Sequence, residues 1–89
     1  MDRRDDSLLE FPCEFPIKVM GANEPDFPNH ARQLVANHVD DLLAGDIESR
    51  VSRNGRFVAV TIRIQARSRS QLDAIYRSLS DSDRVLMAL

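Results

Sequence analysis

The sequence predicts an α+β domain in which one four-stranded antiparallel sheet carries two helices on the same face. Three observations predict it. An Asn54-Gly55 pair lies between two alternating apolar runs, the strongest short-range signature of a β-hairpin. Two segments, starting near 26 and near 69, place apolar residues at three- and four-residue steps, the period of an amphipathic helix. Short alternating runs at 15–20 and 85–89 flank these elements, so the order reads β-α-β-β-α-β. With 89 residues, the chain suffices for one such domain and is too short for two.

Each element has its own warrant. In 15–20, Phe15, Ile17 and Val19 share one face, and Lys18 and Met20 share the other, as in a strand buried on one side. Pro16 cannot donate to a ladder, so it belongs at the strand start or against an unpaired edge. Gly21 is expected to end the strand, and Asn23-Glu24-Pro25-Asp26 to turn the chain. A helix should begin between Asp26 and Pro28, capped by Asp26 or Asn29, with Pro28 in the first turn. Its stripe is Phe27, Ala31, Leu34, Val35, His38 or Val39, and Leu42, with Gly45 as the expected stop.

The hairpin joins 47–52 to 57–65. A two-residue Asn-Gly turn, with positive φ at both positions, fixes a register in which Val51 faces Val58, Ser49 faces Val60 and Ile47 faces Ile62. These residues and Ile64 form the core face, and Arg53 and Arg56 meet at the tip. Ser68-x-x-Gln71 has the form of a capping box, and Leu72, Ile75, Tyr76 and Leu79 give a second helix to about Ser80. Val85, Met87 and Leu89 are expected on one side of the last strand.

Right-handed crossovers put both helices on one face, giving a ferredoxin-like βαββαβ sandwich. Residues 11–89 are read as this single domain and 1–10, mostly charged and polar, as a flexible tail. The other sheet face is left open. It should display Lys18, Met20, Arg50, Phe57, Ala59, Thr61, Arg63, Leu86 and Ala88. An apolar centre edged by arginines fits a protein or an anionic ligand, because the guanidinium fork pairs with carboxylate and phosphate.

Charge narrows the function classes. The net charge of −2 argues against a polycation that coats nucleic acid or membrane. That near-balance hides a segregation. Residues 1–48 hold eleven acids against four bases, whereas 49–72 hold no acid and six arginines: Arg50, Arg53, Arg56, Arg63, Arg67 and Arg69. The one cysteine, Cys13, excludes an intrachain disulfide and suits a reducing cytoplasm. The N-terminal stretch lacks the apolar core of a signal peptide, and no apolar run is long enough to span a bilayer. A cytoplasmic protein with no membrane association is expected.

No catalytic constellation is legible. His30 and His38 stand eight residues apart, not at the i, i+4 spacing of a helical metal pair, and the serines and Cys13 lie in no nucleophile motif. Asp40-Asp41 and Asp81 with Asp83 lack a calcium-loop pattern. There is no phosphate-cradling glycine motif, so no cofactor and no metal is expected. Gly55-Arg-Phe57-Val-Ala-Val60 loosely matches an RNA-recognition strand. Such sheets stack bases on two or three aromatics, and here only Phe57 is offered, so nucleic acid is not the expected partner.

Phe11-Pro12-x-x-Phe15-x-x-Lys18-Val19-Met20-Gly21 resembles the N-terminal block of the YbeD-like family of small bacterial proteins. Gln71-Leu-x-x-Ile75-Tyr76-x-x-Leu79, with Val85-x-Met87-x-Leu89, resembles that family's ending. The resemblance spans about 8–89. It implies a βαββαβ fold similar to ACT-type regulatory domains, a context near lipoate attachment, and no assigned activity or catalytic residue. Glu24-Pro25-Asp26 departs from the usual ACT loop.

The expected function is therefore a non-enzymatic binding or regulatory module that uses the open face or a strand edge to meet a protein partner or a second copy. The alternative is an ACT-like sensor of a small anionic ligand near Lys18, Gly21 and Asn23, linked to lipoate metabolism. An RNA-binding domain is the weaker alternative. The binding residues nominated are Lys18, Met20, Gly21, Asn23, Arg50, Phe57 and Arg63.

Overall fold

The computed structural model describes residues 9–89. Its elements are β1 (Cys13–Ala22), α1 (Phe27–Ala36), a 3-10 turn (Ala44–Asp46), β2 (Ile47–Val51), β3 (Phe57–Ala66), α2 (Arg69–Ser80) and β4 (Val85–Ala88). The four strands form one antiparallel sheet in the order β2-β3-β1-β4. The expected βαββαβ fold is therefore present. Of the stretch read as a tail, 1–8 lies outside the described residues, and Leu9 packs against the core.

Alternation along the two central strands builds the core. Ile17 and Val19 from β1 join Val58, Val60, Ile62 and Ile64 from β3 on one face, all buried. Phe27, Ala31 and Val35 from α1 and Leu72, Ile75 and Leu79 from α2 close over them. Pro16 is accommodated because the amide of Lys18, two residues on, donates toward β4 at Leu89 O (3.1 Å). The Pro16 nitrogen faces the same side, beyond the end of β4, where no ladder bond is lost.

Four local expectations are corrected. First, β1 does not end at Gly21 but continues to Ala22, with Gly21 paired to both neighbours. Second, α1 stops at Ala36, well before Gly45. The amides of His38 and Val39 bond three residues back, to Val35 O and Ala36 O, so the helix tightens and ends. Asp40 and Asp41 would put negative charge at the negative end of a longer helix. Val39 is nevertheless buried and Leu42 packs on the core, so the apolar period outlasts the helix.

Third, the hairpin keeps its expected register, Val51 with Val58 and Ile47 with Ile62, but not its turn. Ser52 N donates to Phe57 O (2.8 Å) and Gly55 N to Ser52 O (2.9 Å), which closes a four-residue loop, 53–56. Within that loop only Gly55 has positive φ, at 77°. The Asn54 side chain does the rest by accepting from the Arg56 amide and the Ser52 hydroxyl, both at 3.0 Å.

Fourth, β4 is turned over from Met87 onward, while Val85 keeps its expected core side. A bulge lies opposite Met20 and Gly21, so pairing steps from Met20–Met87 to Gly21–Val85. One extra residue reverses the parity of the faces. Val85 and Ala88 pack on the core, while Met87 stands on the open face beside Met20. Val85, Met87 and Leu89 therefore do not share a side, and Ala88 does not belong to the open face.

The helix caps differ from each other. Ser68 Oγ accepts from Gln71 N (3.1 Å), as a capping residue should. Gln71 Oε1 reaches the Arg67 amide (2.7 Å), one residue before the cap of a standard box. Asp26 occupies the N-cap of α1 but makes no capping bond, because its carboxylate is engaged elsewhere.

Candidate functional site

The face of the sheet without helices is set by the strand registers. Across its middle runs the row Arg50–Ala59–Met20–Met87, one residue from each strand. The next row is Glu48–Thr61–Lys18, with Leu89 bonded alongside through its backbone. Above the middle row, Phe57 is paired with Ala22, and below the second row Arg63 is paired with Pro16. The β4 side of the face is therefore apolar, with Met87 and Leu89 exposed, and the β2 side is charged.

Small residues at the centre give this face its relief. Ala59 and Thr61 lie between the longer side chains of Lys18, Arg50 and Arg63, and the result is an open depression of about 710 Å³. Arg63 Nη2 lies 3.4 Å from Glu48 Oε1, so this cation is already paired. Lys18 and Arg50 have no charged partner among the described residues. The two unpaired cations flank the depression from opposite sides. Such a surface can hold a carboxylate-bearing segment at the charged side and apolar side chains against the methionines, whose thioethers adapt to irregular partners.

Of the nominated residues, Lys18, Met20, Arg50, Phe57 and Arg63 share this face. Gly21 and Asn23 do not join them. Gly21 points inward, and a Cβ there would overlap the Phe27 ring and lie 2.8 Å from Arg84 O. The close approach is made by the protein itself. Asn23 ties the loop after β1 to the hairpin tip, since its Nδ2 donates to Gly55 O (3.0 Å) and its amide to Arg56 O (2.9 Å).

The sequence reading missed a cluster at the adjoining end of the sheet. Arg84 Nη2 lies 2.8 Å from Glu24 Oε1 and 2.7 Å from Asp26 Oδ1, and Nη1 donates to Asp26 Oδ2 (3.3 Å). Its guanidinium lies 5.9 Å from the centre of the Phe27 ring. The Arg84 hydrogen bond holds the Asp26 carboxyl below the ordinary value of 3.8, and the two carboxylates raise Arg84 in turn. Strand order was the available signal, because it sets the start of β4 beside the end of β1. The arrangement is a clasp between two loops.

Each histidine is tied to a serine from the other half of the chain. His30 Nε2 shares a hydrogen bond with Ser82 Oγ (2.9 Å), and His38 Nε2 with Ser78 Oγ (2.8 Å). Among the described residues, no three His, Cys, Asp or Glu side chains are grouped to hold a metal. No helix among them is long and apolar enough to cross a membrane.

Comparison with known proteins agrees with this architecture. A structure of protein HP0495 from H. pylori superposes with a TM-score of 0.68 over 91% of this chain and 85% of that one, at 17% identity, which is a likeness of fold. A UPF0250 protein from Chromobacterium violaceum is 42% identical over the full length of both chains. UPF0250 protein NE1487 from Nitrosomonas europaea is 41% identical over 96% of this chain and 98% of its own. The family described as "Protein of unknown function (DUF493)" matches residues 6–89. With near-complete coverage by both family and relatives, the chain belongs to the DUF493 family, the YbeD-like proteins that its first and last blocks resemble.

Proposed function

We propose that the protein is a non-enzymatic binding module, and that its open sheet face docks an acidic, partly apolar segment of a partner protein. One observation carries this reading. Among the described residues, Lys18 and Arg50 have no charged partner, and they stand on either side of the Ala59–Thr61 depression, next to exposed Met87 and Leu89. Charge favours an acidic partner over a second copy of the same face. A face-to-face pair would set two cationic surfaces against each other, and like charges in close apposition disfavour association.

Affinity capture from extracts of the producing bacterium, followed by mass spectrometry, tests the reading when wild type is compared with Lys18→Glu and Phe57→Glu. The expected result is a discrete protein retained by wild type, released by both variants, and bound through an acidic segment. Identical retention by all three proteins overturns the proposal. So does wild-type capture of nothing. A thermal shift with small carboxylates or phosphates, lost in Lys18→Glu, would instead favour the small-ligand sensor.

A further inference from the structure

We propose that β2 is a self-pairing edge through which two copies join into one eight-stranded sheet. This inference stands on the β2 edge and not on the proposed docking, although both draw on Arg50, which pairing would engage with Glu48 of the second copy while Lys18 stays available on the open face.

The backbone sets the geometry. Ser52 N bonds to Phe57 O, and bonding alternates along an antiparallel pair, so Arg50 and Glu48 also turn their amides and carbonyls toward β3. Ile47, Ser49 and Val51 must therefore turn theirs outward. The edge is open: Glu48, Ser49, Arg50 and Val51 are all exposed. The helices pack on β1, β3 and β4, so Val51 remains 51% exposed on the helix side of the sheet.

The side chains then select an occupant. An antiparallel second copy related by a two-fold axis at Ser49 would bring every outward-facing backbone group into a ladder bond. In that register Ile47 faces Val51 of the second copy on the helix side. Glu48 faces Arg50 of the second copy on the open side, and the reciprocal pair forms as well. Only Glu48 Oε1 is used by Arg63 within the chain, so the second carboxylate oxygen remains for Arg50 of the other copy.

Registers displaced by one residue pair to either side have the correct backbone parity but the wrong charges. One sets Glu48 against Glu48, and the other sets Arg50 against Arg50. Like charges directly opposite are destabilising, so the sequence IESRV favours one self-pairing register and disfavours its neighbours. The opposite edge is less suited, since β4 has four residues and a bulge. The two-fold axis stands perpendicular to the sheet, so all four helices lie on one side and the two open faces merge on the other. The interface is isologous and closes at two copies.

Sedimentation velocity and amide exchange across a rising concentration series test the proposal. The expected result is a shift from one-chain to two-chain mass, with exchange slowed at Ile47, Ser49 and Val51. Ser49→Pro removes an outward-facing N–H and leaves the bonds to β3 intact, so it should stay monomeric with an unchanged fold. Glu48→Arg and Arg50→Glu should each stay monomeric alone, and a one-to-one mixture of the two should recover the two-chain mass. A wild-type protein that remains monomeric to millimolar concentration overturns the proposal. A dimer that survives Ser49→Pro, or single charge variants that pair as well as wild type, overturns it equally.

Discussion

The ring of Phe27 occupies the space into which a side chain on residue 21 would project. This contact fixes the first residue of α1 against the end of β1. It also explains a glycine within a strand, where the missing side chain otherwise weakens packing. Both residues are buried, and Arg84 O closes the same space from the β4 side. Gly21→Ala must therefore push aside a ring at the base of a helix. It should destabilise the fold by about 1–3 kcal/mol, the usual range for overpacking, read as a lowered denaturation midpoint. An unchanged midpoint would show that α1 can shift freely.

The clasp around Arg84 predicts a pH response. Asp26 has its carboxyl below 3.8 in the folded state because Arg84 bonds to the charged form. Its contribution is thus fully present above the unfolded value and is lost as pH falls through the lower folded value. Carbon-detected NMR titration of the Asp26 carboxyl should give a midpoint under 3.8 in wild type. The midpoint should move up toward that value in Arg84→Met. High salt should narrow the difference, since the pair is solvent-exposed. A midpoint indifferent to Arg84→Met would contradict the geometry.

The two helix starts should respond differently to mutation. Ser68→Ala removes a side-chain cap and should cost about 1 kcal/mol. Asp26→Ala removes no cap, since Asp26 makes no capping bond, so its effect should vanish in an Arg84→Met background. A double-mutant cycle on chemical denaturation separates the two cases.

At the hairpin tip, Gly55→Ala should cost about 1 kcal/mol or more, because φ is 77°. Asn54→Ala should act differently, by withdrawing the acceptor for the Arg56 amide rather than by straining the backbone. Thermal midpoints of the two single variants and the double variant check this. Equal and fully redundant effects would argue for the two-residue turn.

The fold was legible because its signals are periodic and agree with one another. Two-residue alternation marked β1 and β3, and the Asn54-Gly55 pair located the hairpin and its register. What escaped depends on single residues or on long-range neighbours. The end of α1 was hidden because Val39 and Leu42 continue the apolar period after the helix has stopped. The faces of β4 beyond Val85 were inverted by one bulged residue, which no local pattern announces. The Arg84 clasp joins residues about sixty positions apart and follows only from strand order. Five of the seven nominated site residues share one face because alternation places them there. Gly21 was ambiguous by nature: a glycine reports that something comes close, not whether it is a ligand or the protein's own Phe27.

The central claim is that the side of the sheet without helices is the working surface. Site-specific photo-crosslinking tests it most directly, with the photoreactive residue placed at Ala59 on the open face or at Gln33 on the exposed side of α1. The account predicts a discrete adduct from Ala59, attached within an acidic segment of the partner, absent from Gln33 and abolished by Lys18→Glu. Equal adducts from both positions, or no adduct from Ala59, would contradict it.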